Sequence, residues 1–215
     1  MPHAGALVII GGGGHAVVVL EAAKLNAVRV FGFYDDDPTA PLNHGELSAS
    51  WLGTMHDVAS AAGQSYILGV GDIALRQTLM RQLDRISIMP TTIIHPSAQV
   101  AHSAIIEPGV YVGPQCVVHA RARVDAHAII NSGAIIEHDC EIGVNTHIGP
   151  RACIGGGVHV GDNTLIGLGA SIIPGISVGS DCTIGAGAVV IRDVPVGSTV
   201  VGVPAKPIHH SQPID

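Results

Sequence analysis

The sequence predicts two domains in tandem: a small parallel α/β domain over residues 1–90 and a parallel β-helix over residues 91–207, followed by a tail at 208–215. Two observations predict them. From Ile94 onward every sixth residue is Ile or Val, through Val100, Ile106 and Val112 to Ile184, Val190 and Val196, eighteen positions without an exception. Ahead of that stretch, apolar runs of strand length alternate with segments of helical spacing. A fixed six-residue period outranks local propensity and signals a β-helix.

The slots of the repeat give its geometry. Four residues after each Ile or Val comes a second, usually small slot, as at Ala98, Ala104, Cys116, Ala122, Cys140 and Thr146. Nine of the eighteen repeats also carry Gly directly after the aliphatic residue, as at Gly113, Gly143 and Gly185, where the backbone must bend. Three hexads close one triangular coil, so residues eighteen apart stack at about 4.7–4.9 Å, the spacing of neighbouring strands. Each coil then buries its aliphatic row against the next. A sandwich would show less regular strand spacing.

Composition narrows the partners. The net charge is −7 with only ten Lys and Arg, which argues against nucleic acid or an anionic membrane surface. Aromatic residues make up 3% of the chain, too few for a base-stacking platform. Cys116, Cys140 and Cys182 fill the small inward slot and Cys153 lies on a strand, with no C-x-x-C spacing. They read as reduced packing residues of a cytoplasmic protein. The first apolar run lacks a basic flank and is broken by Gly11–Gly14, so a signal peptide or membrane span is not expected.

In the front domain, Ala6–Ile10 reads as a buried strand, Gly11–Gly14 as a turn, and His15 to about Leu25 as a helix. Val28–Phe33 is a second strand ending at Asp35-Asp36-Asp37, and Pro38–Ser50 a surface loop. A short helix near Met55–Ala62, a strand Tyr66–Val70 and a helix from Ile73 to about Leu83 follow, with the domain boundary at Met89–Ile93.

The glycine loop lies between strand and helix, where helix-terminal amides attract phosphate. Gly11-x-Gly13-x-x-Ala16 fits the dinucleotide fingerprint of Rossmann-like domains, with Asp35 at the expected distance. A domain of about 90 residues is half of the two-part dinucleotide fold and suits one mononucleotide. The expected ligand is a nucleoside diphosphate, its phosphates at Gly13, Gly14 and His15 and its base or ribose at Asp35, Asp36 and Asp37. A glycine turn that only packs helix on strand has the same spelling, and the three aspartates read equally as a solvated turn.

The β-helix carries seven histidines, His95, His102, His119, His127, His138, His147 and His159, none in an inward slot, so all are expected on the outside. Only His138 stacks beneath a glycine run: Gly156, centre of Gly155-Gly156-Gly157, lies eighteen residues on. Asp139 follows the histidine and can orient it. An imidazole one strand spacing from a bare amide suits acyl transfer, the ring taking a proton and the amide holding an oxyanion.

The run Asn131-Ser-Gly-Ala-Ile-Ile-Glu-His-Asp-Cys140, the Ile/Val-Gly hexads and the closing Gly202-Val-Pro-Ala-Lys206 resemble the hexapeptide-repeat acyltransferases. With Gly11–His15 and Asp35–Asp37 in front, the chain is similar to the bacterial nucleotide-sugar N-acetyltransferases of glycan biosynthesis, which act on amino sugars such as bacillosamine or perosamine. Sialic acid O-acetyltransferases are close relatives. The resemblance implies a left-handed β-helix, a homotrimer with active sites between neighbouring prisms, and acetyl-CoA along the groove. It implies His138 as general base, Asp139 as its partner and Gly156 as donor to the acetyl oxygen. It places His147 near the thioester, pantetheine near Leu168 and Ala186, and the CoA nucleotide near Lys206. The partner of the base is often Glu in this subgroup, and Asp139 is one methylene shorter.

The expected reaction is direct transfer in a ternary complex, without a metal. Acetylation of a hydroxyl is an open alternative, as is a non-catalytic nucleotide-binding scaffold. A zinc hydratase on the same fold would show His-x4-His, and no two of these histidines are five apart.

Overall fold

The computed structural model describes residues 7–208; the tail from His209 to Asp215 lies outside the described residues. The front domain runs β1 (Leu7–Ile10), α1 (Gly14–Leu25), β2 (Val30–Tyr34), β3 (Trp51–Gly53), β4 (Ser65–Leu68), α2 (Ile73–Leu83) and β5 (Met89–Pro90). The five strands are parallel in the order β3-β2-β1-β4-β5. Alternation along β1 serves two cores. Leu7 and Ile9 pack with Ala16, Val19 and Leu20 of α1, whereas Val8 and Ile10 pack with Leu79 and Leu83 of α2. The order reverses between β1 and β4, and a ligand crevice opens beyond the carboxyl ends of strands at such a point.

β3 was not anticipated, because three residues are too few to show alternation. The stretch before it is more than a surface loop: Pro41–Asn43 forms a 3-10 turn, and Ala40 and Leu42 are buried.

From Ile93 the chain winds into a triangular prism whose strands are mostly two residues long. Partners are eighteen residues apart, as in Ile129↔His147, Ile135↔Cys153 and Glu141↔His159. The second residue of each strand points inward and joins the small slot in one buried row that includes Cys116, Cys140 and Cys182. The first residue faces outward and gives each face its character. One face, with Ile93, Tyr111 and Ile129, is buried against α1. A second presents Arg123, Glu141 and His159 to solvent. The third presents Val117, Ile135, Cys153 and Val189.

The six-residue register stops before its expected end. Val178 bridges Val194 and Ile184 pairs with Val200, each sixteen residues on rather than eighteen. Val194 (5% exposed) therefore fills the inward slot expected of Val196, which is 71% exposed. The Asp193 carboxylate accepts the Ser177 amide and draws the chain across the corner two residues early. Val200 likewise takes an aliphatic position rather than the small slot.

The two domains are knotted by Arg76 of α2. Its buried guanidinium donates from Nε to Asn145 Oδ1 (2.7 Å) and from Nη2 to the Asn145 carbonyl (2.6 Å). Nη1 donates to the carbonyls of Val70 and Gly71. Burial lowers the Arg76 pKa to about 10. His127, expected on the outside, is buried beneath the front domain, its ring stacked on Tyr66 at 5.9 Å.

Candidate active site

His138 sits on the prism edge between the apolar and charged faces. Its Nδ1 lies 2.7 Å from Asp139 Oδ2, so a proton on Nδ1 leaves the Nε2 lone pair free. The ring lies against Gly156: a Cβ there would fall 2.8 Å from both Cε1 and Nε2. Gly155 and Gly157 donate their amides to the coil ladder, to Ile172 and His138 carbonyls. The Gly156 amide has no partner among the described residues. The imidazole and one free amide are therefore adjacent, as the stacking of residues eighteen apart requires.

Asp139 has a second partner that the sequence reading missed. Arg121 donates from Nε to Oδ1 (2.6 Å) and from Nη2 to Oδ2 (2.8 Å). These hydrogen bonds, with that of His138 next, lower the Asp139 pKa to about 2. The signal was available, since Arg121 lies eighteen residues before Asp139.

The glycine loop divides by what surrounds each residue. A Cβ at Gly12 would lie 2.5 Å from Phe33 and 2.7 Å from Ala40, so this position must be bare for packing. At Gly13 and Gly14 a Cβ would meet nothing within 4 Å. Among the described residues the amides of Gly13, Gly14 and His15 have no backbone partner, and the cap of α1 carries no side-chain hydrogen bond. Three such amides at the amino end of a twelve-residue helix are an arrangement suited to an anion.

The three aspartates share local duties. Asp35 Oδ2 accepts the Gly12 amide at 2.6 Å and Oδ1 accepts that of Asp37, pinning the glycine loop to the end of β2. Asp36 accepts the Met55 amide, and Asp37 accepts from Thr39. Asp35 and Asp36 also line a slot of about 110 Å³ with Gly11, Tyr34, Met55 and Val70. Asp37 is outside that slot.

His15 and His147 meet where the loop overlies the covered prism face. His147 Nδ1 is 3.3 Å from the Gly71 carbonyl and Nε2 3.2 Å from Asn131 Nδ2, which assigns the proton to Nδ1. Burial and then Arg76 lower its pKa to about 4. His15 packs edge-on to Tyr111, and burial, then His147 and Arg76, lower its pKa to about 3. A cleft of about 600 Å³ runs from Gly71 and Asp72 past His147 to Asn163, Asp181 and Thr183. The role of Asn131 was not foreseen, although it stands in the quoted motif.

Leu168 and Ala186 stack on a different edge, between the covered and apolar faces, and Leu168 is 60% exposed. Lys206 is exposed in a short antiparallel strand, Lys206–Pro207, on Thr199–Val201. One chain thus places His138, Asp139 and Gly156 on one edge and the remaining prism residues on or beside the covered face.

A hexad prism with an imidazole against a free glycine amide defines the hexapeptide-repeat acyltransferase class. The profile of the hexapeptide repeat of succinyl-transferase matches residues 133–163 and 157–192, and that of the PglD N-terminal domain matches 6–83. PerB from Caulobacter crescentus, solved in complex with CoA and GDP-perosamine, is 37% identical with a TM-score of 0.89, covering 95% of this chain and 98% of that chain. The acetyltransferase domain of PglB from Neisseria gonorrhoeae FA1090 is 32% identical with a TM-score of 0.88, over 95% of this chain and 100% of that one. WeeI from Acinetobacter baumannii AYE, 22% identical with a TM-score of 0.81 over 94% and 99%, shares the fold. No curated protein sequence matches. The chain belongs to the family of PglD-type hexapeptide-repeat acetyltransferases: it is an acyltransferase, and its β-helix is left-handed. Among the described residues no helix is long and apolar enough to cross a membrane, and no group of three His, Cys, Asp or Glu could hold a metal.

Proposed function

We propose that the protein transfers an acetyl group directly from acetyl-CoA to the amine of a nucleotide-linked amino sugar, with His138 as general base. The observation that carries this reading is the contact of the His138 ring with Gly156, whose amide has no partner among the described residues. A sugar amine with a pKa like the α-amino reference, about 7.7–8.0, is largely protonated at neutral pH. The ammonium first gives up one proton, freeing its lone pair; as the amine nitrogen attacks the thioester carbonyl, His138 Nε2 takes the second, which then passes to the departing CoA sulfur. The Gly156 amide donates to the oxygen that becomes negative, and collapse expels the CoA thiolate. Holding both substrates together supplies proximity. The diphosphate rests on the amides of Gly13, Gly14 and His15, with the base or ribose toward Asp35 and Asp36. The cleft at Gly71 and His147 leads the sugar toward the prism. The complexes of PerB with CoA and GDP-perosamine and of the PglB domain with acetyl coenzyme A support this substrate class.

The working unit in this reading is a cytoplasmic homotrimer. His138 and the proposed pantetheine residues Leu168 and Ala186 flank the apolar face of Val117, Ile135 and Val189 from opposite edges. Packing three such faces together brings the His138 edge of one protomer beside the Leu168 edge of the next. His147 and Lys206 then belong to the acetyl-CoA side of the shared groove.

The test is thiol release from acetyl-CoA with UDP-, GDP- and dTDP-linked amino sugars. His138→Ala should lower turnover by roughly two to four orders of magnitude. Near-full activity in that variant would remove His138 from the chemistry.

A further inference from the structure

We propose that Arg121 is a positioning residue for acyl transfer, holding the Asp139 carboxylate in the one plane that orients the His138 imidazole. This rests on the reading of His138 as the base. The guanidinium reaches Asp139 as a fork, Nε to Oδ1 at 2.6 Å and Nη2 to Oδ2 at 2.8 Å. Oδ2 also meets His138 Nδ1 at 2.7 Å, so one carboxylate oxygen joins the arginine and the imidazole. A carboxylate gripped at one oxygen still turns about its last torsion, and a bidentate fork stops that turn.

The backbone fixes the fork as well. Arg121 and Asp139 occupy the same corner of successive coils, both in the left-handed region (φ 59° and 61°), and the Asp139 amide donates to the Ala120 carbonyl. This compensates for the short reach of an aspartate.

Within the chain, the described residues around His138 offer it no other carboxylate. The corner of His138 carries Glu137 and Asp139; the preceding coil brings His119 and Arg121; the following one, Gly155–Gly157, brings no charge. Glu137 lies toward His119, at 3.8 Å. Arg123 offers a contrast two residues along. It divides its donors between Asp125 and Glu107, and neither carboxylate touches a histidine. The two arginines share exposure and chemistry but differ in what lies behind their carboxylates.

The experiment uses the full chain with two readouts. One is the tautomer of His138 from long-range ¹H–¹⁵N spectra, which needs no acceptor. The other is turnover with acetyl-CoA and GDP-perosamine. Arg121→Ala should mix the tautomers and lower kcat about tenfold, the scale at which partners that orient a functional imidazole act. The KM for acetyl-CoA should stay unchanged, Arg121→Lys should recover part of the loss, and Arg123→Ala should match the wild type. Wild-type tautomer and kcat in Arg121→Ala, or an equal loss in Arg123→Ala, overturns the inference. Full turnover in His138→Ala, with tautomers still mixed in Arg121→Ala, overturns the base reading instead and leaves the clamp standing.

Discussion

Arg76 encloses Asn145, bonding both its side-chain oxygen and its main-chain carbonyl, while Asn145 Nδ2 donates back to the Ile73 carbonyl. The two residues are 69 apart in sequence and belong to different domains. Arg76→Met should therefore destabilise the whole chain by about 3 kcal/mol, the loss of charge-assisted hydrogen bonds less the relief of not burying a cation. Urea denaturation reads this as a lower midpoint. Asn145→Ala should cost a similar amount, and the double variant little more, because the pair acts as a unit. Independent, additive losses would refute the knot.

Gly156→Ala tests the catalytic contact by volume. The new methyl group would fall 2.8 Å from His138 Cε1 and Nε2, displacing the ring from the amide. Turnover should drop by about 10²–10³, the range for losing one oxyanion donor. The unfolding midpoint should move little, since the ring can swing into solvent. A variant that keeps wild-type kcat excludes the contact from catalysis.

Gly12→Ala and Gly13→Ala should separate packing from binding. At Gly12 the methyl group collides with Phe33 and Ala40, an overpacking cost of about 1–3 kcal/mol visible as a lower Tm. At Gly13 it meets nothing, and the extended backbone (φ −73°, ψ −171°) accepts alanine, so Tm should hold. The KM for the sugar nucleotide should nevertheless rise. An unchanged KM would mean that the diphosphate does not rest on this loop.

Acidification should weaken the junction before it touches the carboxylates. His15 and His147 are lowered to about 3 and about 4, and burial lowers His127 as well. Each is held neutral when folded and takes up a proton near its ordinary 6.5 once unfolded. The unfolded state therefore binds more protons below that pH, and stability falls as pH drops from about 6.5 toward 4. Asp37, Asp57 and Asp139, all lowered, keep their contribution above about 3.8 and lose it only below. Urea midpoints between pH 7 and 4.5 should thus decline in the wild type and decline less in His147→Gln. A flat wild-type profile would contradict the burial of these rings.

The repeat was the most legible part of the chain, because each inward Ile or Val reports the same local geometry. That legibility ended at Val196, where the Asp193–Ser177 contact shortens a coil without altering its apolar spelling. His138 and Gly156 were readable for the same reason: residues eighteen apart must touch. Arg121 obeys the identical rule but hid among polar corner residues. Arg76, Asn145 and the covering of His127 and His147 were not readable. They depend on how the front domain lies against the prism, and no period links residues 69 or 76 apart.

The stack of coils is finite at both ends. At its start, Asn26 Nδ2 donates to the Ile94 carbonyl, occupying an acceptor that another strand would use. At its finish, Lys206–Pro207 runs antiparallel along Thr199–Val201 and places a proline, which has no amide hydrogen, in the last position. A column of parallel strands is otherwise an open template for a second molecule. Among the described residues one of the three sheets thus ends on a mismatched strand, which bars a further parallel strand from adding to that sheet.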